Sequence, residues 1–436
     1  MSQEPLVTVV MPTYQAEKYL KEAIESMMAQ TYGHFELLVI DDASKDHTRK
    51  MVMEYAKRDK RIKLIDGPQN GIAAALNYGI ELSTGKYVAR MDADDIALPE
   101  RLEKQVSAME KDPELGVCAT QILALRGEEL VEAAVCKQQY EEILCDMMFN
   151  NNICHPTVMF RKTVLDQGWR YQEHILAEDY DMWTRMLPNV KFRALSDVLL
   201  YYRIDCEEKL TVTNHKQVRE AAARIIRSYL CALFGANFNG YKLVDFVPDH
   251  AKYELISEGM ICVARQYELL NDIYRLNEEK NVIRKDLLLD RLNFRFRSWA
   301  IVFGIDQYLE KNGSIKIGKS NREEGQAILN VLPMLEQERS FILYGLGIRG
   351  MRFLEKYQRS LNKKWKMIAL ADKNADGIDG LNTVYQVVTK DKIRDFSFDY
   401  ILISSDKYFD EICKDLAEEG ICKGCIFRSS LLENVL

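Results

Sequence analysis

In Gly85-Lys-Tyr-Val-Ala-Arg-Met-Asp-Ala-Asp-Asp95 an apolar run ends abruptly in the carboxylates of Asp92, Asp94 and Asp95. A run this short and this apolar predicts a strand over Lys86–Met91 covered on both faces, as in a parallel sheet flanked by helices. Upstream the same pattern repeats. Leu6–Met11 predicts a strand closed by Pro12. Glu17–Gln30 predicts a helix with Leu20, Ile24, Met27 and Met28 at helical spacing, and Phe35–Ile40 a second strand. Asp46–Arg58, Arg61–Ile65 and Ile72–Leu82 then read as helix, strand and helix. Such alternation predicts an α/β fold whose ligands bind beyond the carboxyl ends of the strands. Those ends carry Pro12-Thr13-Tyr14, Asp41-Asp42 and Asp92-Ala93-Asp94-Asp95.

Downstream, Pro99 suits the first position of a helix bearing Leu102, Val106 and Met109, and Gly116–Leu123 predicts a strand. From about Glu207 to Lys319 the character changes to long helical patterns, Val218–Phe234 and Tyr253–Lys280 among them. A second alternation starts at Ser340, with strand Phe341–Tyr344, a glycine-rich turn, a helix to Tyr357, strand Met367–Ala371 and strand Asp399–Ile403 before a further helix. The expected organisation is an α/β domain over 1–206, a helical connector over 207–338 and a small Rossmann-like α/β domain over 339–436.

At 436 residues the chain exceeds what one hydrophobic core organises. Its hydrophobic content of 47% and charged content of 29% are those of a globular protein. A net charge of -7 argues against a general nucleic-acid binder, so no nucleic-acid partner is expected. The N-terminus lacks the basic and apolar regions of a signal peptide, and no segment approaches the roughly 20 apolar residues that span a bilayer. The expected location is the cytoplasm, where the ten cysteines stay free thiols. Cys422-Lys-Gly-Cys425 lacks the second pair or the histidines of a zinc site.

Carboxylates such as Asp92 and Asp94 are the oxygen ligands that a magnesium or manganese ion shares with substrate phosphates. A solvated acidic turn explains the triplet equally well when it is taken alone. Asp41 suits hydrogen bonds from a base or ribose, or else a turn; Ser44 or Asp46 suffices to cap the following helix. Arg90 either contacts a phosphate or pairs with Asp92. Further along, Glu178-Asp179 heads a helical pattern. Asp179 shares a face with Met182, Trp183 and Met186, and Glu178 falls with Asp181 and Arg185. An acid on an inward stripe needs a partner or a purpose, and general base catalysis is one such purpose. For Glu178 the helix dipole alone accounts for a first-turn acid.

Together these residues resemble the GT-A fold, family 2 glycosyltransferases. The resemblance runs from about Val7 to Arg203. It is carried in order by Val9-Val-Met-Pro-Thr-Tyr14, Leu38-Val-Ile-Asp-Asp-Ala-Ser44, Asn70-Gly-Ile-Ala-Ala-Ala-Leu-Asn77, Gly85 to Asp95, and Ala177-Glu-Asp-Tyr-Asp-Met-Trp183. It implies a GT-A nucleotide-diphospho-sugar transferase domain, hexosyltransferase in type, that uses Mn or Mg. The donor implied is a nucleotide sugar, UDP-linked by preference, and the acceptor a glycan or lipid-linked hydroxyl in surface polysaccharide synthesis. Pro12, Thr13, Tyr14, Glu17, Asp41, Arg90, Asp92 and Asp94 then form the donor site. Asp92 and Asp94 bind the metal, and Asp179, with Glu178 beside it, is the base of an inverting displacement. His155 lies in Asn152-Ile-Cys-His-Pro-Thr157, which is similar to the acceptor-side region. After Tyr201-Tyr-Arg203, where relatives often carry a histidine, this chain has Ile204-Asp205, and Asp205 is itself an oxygen ligand.

Gly345-Leu-Gly347-Ile-Arg-Gly350 follows an apolar strand, and Asp372 lies 22 residues after Gly350. That matches a dinucleotide-binding fingerprint, although about a hundred residues is short for two mononucleotide-binding halves. Two alternatives therefore stand beside the transferase. One is an NAD-dependent oxidoreductase acting through this turn, and the other a non-catalytic nucleotide-sugar-binding subunit. Arg291-Leu-Asn-Phe-Arg-Phe-Arg-Ser-Trp299 interleaves bases with aromatics, as a peripheral contact at the inner face of a membrane would, and as an ordinary helix face also does.

Overall fold

The computed structural model describes residues 4–133, 136–204, 215–247, 256–302, 339–345, 350–351, 353–354, 365–373, 386–398, 400–405, 408–421 and 426–428. The chain forms two compact units, 1–247 with 280–287 and 248–279 with 288–436. The stretch expected as a connector, 207–338, is thus divided between them.

The first unit opens with strictly alternating elements: β1 (Val7–Thr13), α1 (Leu20–Met28), β2 (Phe35–Asp41), α2 (Thr48–Arg58), β3 (Ile62–Asp66), α3 (Ile72–Leu82) and β4 (Tyr87–Arg90). There follow β5 (Ile96–Ala97), α4 (Arg101–Lys111), β6 (Leu115–Arg126), β7 (Glu129–Glu132), α5 (Tyr140–Asp146), β8 (Met159–Arg161), α6 (Lys162–Leu165), α7 (Glu178–Met186), β9 (Lys191–Arg203), α8 (His215–Phe234) and α9 (Leu243–Phe246). One nine-stranded sheet takes them in the order β3-β2-β1-β4-β8-β6-β9-β5, with β7 paired to β6. The expected parallel half is present: β1 pairs in parallel with β2 and β4, and β2 with β3. The other half is mixed, since β8 runs antiparallel to both β4 and β6 while β6 and β9 are parallel.

Every residue of β2 and all of β1 but Pro12 are buried, as a sheet covered on two sides requires. On one face Val7, Val9, Met11, Leu37 and Val39 pack with Leu20, Ile24 and Met27 of α1 and Leu102, Val106 and Met109 of α4. Each such side chain contributes roughly 1.5–3 kcal/mol by leaving water. On the other face α3 lies directly on β1, and a Cβ at Gly79 would sit 2.3 Å from Val10 Cγ1. The register sets Thr13 beside Asp41 and Val10 beside Arg90, so the three polar clusters leave the sheet at one rim.

The second unit contains α10 (Ile256–Lys280) up to Glu279 and most of α11 (Lys285–Val302). It then builds β10 (Arg339–Tyr344), β11 (Trp365–Ala371), β12 (Val387–Val388), β13 (Tyr400–Ile403), α12 (Phe409–Glu418) and β14 (Ile426–Arg428). Its five strands are all parallel in the order β12-β11-β10-β13-β14. Ile342, Tyr344, Ala369, Ala371, Ile401 and Ile403 form its core with Phe409 and Leu416 of α12. Among the described residues no helix is long and apolar enough to cross a membrane. Cys118, Cys136, Cys145, Cys154, Cys231 and Cys413 are free thiols, while Cys422 and Cys425 lie outside the described residues.

Candidate active site

The rim is framed first by backbone. Thr13 Oγ1 donates to Ile40 O at 3.2 Å and Asp42 N donates to Thr13 O at 2.9 Å, which ties the ends of β1 and β2 together. Pro12 is partly buried and Tyr14 stands 59% exposed. Glu17 Oε2 accepts from His47 N at 2.8 Å, while its own N donates to Asp46 Oδ2 at 3.1 Å, so this acid holds two loops in register. Asp46 also accepts from Thr48 N at the start of α2, although the N-cap position itself falls on His47 and not on Ser44 or Asp46. Asp42 takes Gln69 N and Gly71 N at 2.6 and 2.9 Å, and Gly67 fits because a Cβ there would meet Asp41 O at 2.9 Å. Asp41 is buried, and its Oδ2 accepts from Arg49 at 3.1 Å. Its Oδ1 accepts nothing from the described residues, which is the disposition of an acid that awaits a polar donor.

Beyond β4, one carboxylate oxygen from each of Asp92, Asp94 and Asp95 lies within 4.8 Å of the others. Three hard oxygen donors this close fit a magnesium- or manganese-sized ion. The loop is fastened by Arg203 at the end of β9. Its N donates to Asp95 Oδ1, its Nε to Asp94 O and its NH2 to Glu22, all at 2.8–2.9 Å. The Arg203 guanidinium also lies 4.1 Å from the centre of the Tyr19 ring. Arg90 is buried and paired with Asp92. Arg101, equally buried, donates to Arg90 O at 2.6 Å; burial, then the nearby Arg90 charge, lowers it to about 10.

The second acidic pair heads α7, which starts from Ala177 held in the left-handed region at φ 65°. Asp179 Oδ1 accepts from Tyr180 N and Oδ2 from Asn151 Nδ2, both at 2.7 Å. Glu178 Oε1 stands 3.8 Å from His155 Nδ1, and His155 Nε2 meets Tyr171 Oη at 2.9 Å. Asn77 clamps the Tyr171 backbone from both sides at 2.9 Å. Burial, followed by the Asp179 charge, pushes Glu178 up to about 7, and burial raises Asp179 above the usual aspartate value. Burial holds the His155 imidazole well below its ordinary value, so it is neutral, and raises the Tyr171 phenol. The Arg90 charge acts on Glu178, Asp179, His155 and Tyr171 as well as on Asp92.

The Asp181 face of α7 is covered: Asp181 is buried and pairs with Arg185 at 2.7 Å beneath α8. That face borders a cavity of about 540 Å³ between α7 and α8, reached by Thr184, Ala221, Ile225 and Tyr229 and distinct from the acidic rim. Asp205 and Gly347 lie outside the described residues. In the second unit Gly345 has φ 93°, Ser404 Oγ donates to its O at 2.6 Å, and Asp372 follows β11. A Cβ on Gly350 would meet Gly345 O at 2.0 Å, so only glycine fits this turn. In α11, Phe294 is 67% exposed and Phe296 is buried.

The model of glycosyl transferase family 2 matches residues 8–169. An uncharacterized glycosyltransferase of Methanocaldococcus jannaschii is 37% identical over 208 residues, which span 46% of this chain and 71% of that protein. The chain belongs to glycosyl transferase family 2. Within that family the O-antigen biosynthesis glycosyltransferase WbnJ of Escherichia coli is 32% identical over 52% of this chain and 89% of its own length. Of the three readings open at the sequence level, family 2 membership supports the glycosyltransferase, and the first unit has the GT-A fold with its curled, parallel-rich sheet. The structure of S. aureus TarS 1-349 in complex with UDP is similar at 17% identity and a TM-score of 0.43, over 76% of this chain and 93% of that one. Residues 337–427 match a separate model described as C2185-like, N-terminal.

Sequence reasoning missed Arg203, Asn151, Asn77 and Tyr171. Arg203 and Asn77 closed quoted motifs, which was a usable signal. Asn151 and Tyr171 sit in irregular chain with no periodicity to mark them.

Proposed function

We propose that this chain is a metal-dependent inverting glycosyltransferase moving a sugar from a nucleotide diphosphate, uridine by preference, to a hydroxyl of a glycan or lipid-linked acceptor. The supporting observation is that one buried cation, Arg90, serves both the Asp92 loop and the carboxylates of α7, drawing two acidic groups into one electrostatic neighbourhood. Asp41, with its buried Oδ1 turned to no described partner, receives the ribose or base, and exposed Tyr14 with Pro12 and Thr13 flanks the base. Asp92 and Asp94 hold the cation, with Asp95 fixing their loop through Arg203. When bound, such an ion neutralises charge on the departing diphosphate.

Asp179 accepts the proton of the acceptor hydroxyl as that oxygen bonds to the anomeric carbon. The bond from that carbon to the diphosphate oxygen breaks, the nucleoside diphosphate leaves with its electron pair, and the configuration inverts. Glu178, raised to about 7, carries a proton near neutrality and does not compete for the role. His155, neutral and joined to Tyr171, supports the acceptor side. Surface polysaccharide synthesis is the setting in keeping with a relative named for O-antigen biosynthesis. The test is a thermal-shift screen of nucleotide sugars with and without manganese, followed by measurement of nucleotide release with Asp94→Ala. A donor that stabilises the wild type only with metal, and a variant that releases no nucleotide, are expected; equal rates in the two proteins would end this reading.

A further inference from the structure

The pair at the head of α7 raises a question that the transferase reading leaves open, namely what decides which carboxylate carries the proton. Two acids adjacent in sequence and both partly buried do not ionise independently. The hydrogen bonds around them are unequal. Both oxygens of Asp179 are engaged at 2.7 Å, one by the amide N–H of Tyr180 and one by the side chain of Asn151. Glu178 accepts from the N–H of its own residue, and the imidazole of His155 stands 3.8 Å away, too long for a hydrogen bond.

The direction of the Asn151 amide follows from its other end. Asn151 Oδ1 accepts from Ile153 N at 3.3 Å, so the NH2 group is the half turned to Asp179. An amide NH2 only donates. It therefore favours the carboxylate over the carboxylic acid. The charged and titratable groups around the pair are Arg90 on β4, Tyr171 and Cys154 on the flanking loops beside Asp179, and His155 and Asp92 on the Glu178 side. Arg90 serves both acids, and Tyr171 and Cys154 have phenol and thiol values raised by burial, so they remain neutral near pH 7. Among the described residues Asn151 is the one side chain that hydrogen-bonds Asp179 and not Glu178.

We propose that Asn151 is a positioning residue that holds the Asp179 carboxylate in place and in its ionised form, so that the shared proton of the pair resides on Glu178. The proposal rests on the transferase reading only for its consequence, which is that Asp179 is the acid free to take the acceptor's proton.

The test needs neither donor nor acceptor. Urea unfolding of the full chain is measured from pH 4 to pH 8 for the wild type, Asn151→Leu, Asp179→Asn and the double variant. Where Asp179 is protonated, Asn151→Leu costs only packing. As pH rises, the wild type keeps a charge-assisted hydrogen bond that the variant lacks. The unfolding constant of the variant relative to the wild type then grows by roughly tenfold or more. In the Asp179→Asn background that growth disappears. A purely structural asparagine would give a penalty independent of pH, and either that result or pH-dependent growth persisting without Asp179 overturns the proposal. Should Asn151→Leu not fold, the isosteric Asn151→Asp decides the matter. It can donate when protonated and repels Asp179 when ionised, so it is expected to fall from near wild-type stability at pH 4 to well below it at pH 8. A flat difference refutes the assignment.

Discussion

Glu178 and Asp179 are neighbours in sequence with different surroundings, and that difference carries the chemistry. Asp179 has donors on both oxygens, whereas Glu178 faces a neutral imidazole at 3.8 Å. Asp179→Asn keeps the shape and removes the base; nucleotide release in the presence of acceptor should fall by about 10²–10⁴ while the donor-induced thermal shift survives. Retained turnover would assign the base elsewhere. For Glu178 the sign of the stability effect follows from its shift. A folded value raised from 4.5 to about 7 contributes stability that is complete below 4.5 and is lost as pH rises through about 7. Glu178→Gln, permanently neutral, should match the wild type near pH 4 and unfold at a higher temperature at pH 8. The gain is a few kcal/mol at most. An unchanged pH profile would mean that Glu178 is not the proton carrier of the pair.

At the scale of elements, the entry to α7 stores strain. Ala177 sits at φ 65°, ψ 49°, where an L-residue with a Cβ costs about 1–2 kcal/mol. Ala177→Gly should therefore stabilise the first unit by about 1 kcal/mol, less what a more flexible unfolded chain takes back, measured by urea unfolding. The same change should loosen Glu178 and Asp179 and reduce transfer more than donor binding. What was legible in the sequence follows the same physics. β1, β2 and β4 are continuous apolar runs because helices cover both faces, so length and composition announced them and placed their polar ends at one rim. The mixed half of the sheet gave no such signal. β5 is two residues and β8 three, too short for any period, and they exist through pairing with β9, β4 and β6. The burial of Asp181 was not legible either, because it is polar by residue type and only its pairing with Arg185 lets α8 cover that face. Arg203 is read from sequence only as the end of a motif; that it fastens the Asp94–Asp95 loop requires the β5–β9 pairing, Ile96 opposite Tyr201, to bring residues more than a hundred apart together.

At the scale of the molecule, the buried clusters around the two sheets share no residue. The first draws its members from Val7 to Leu200, the second from Ile342 to Ile426. Every residue proposed for donor, metal and proton transfer among those described belongs to the first unit. A chain ended after residue 338 loses the five-stranded parallel sheet but keeps α10 and α11, and with them the segment 280–287 that belongs to the first unit. Since a ligand stabilises only the folded form that binds it, the donor-induced shift reports on the site wherever the rest of the chain ends. The shortened protein should show the same manganese-dependent shift with a nucleotide sugar as the full chain, at the same half-saturating concentration. Were the shift instead lost while the shortened protein still unfolds cooperatively, the first unit would not carry donor binding by itself.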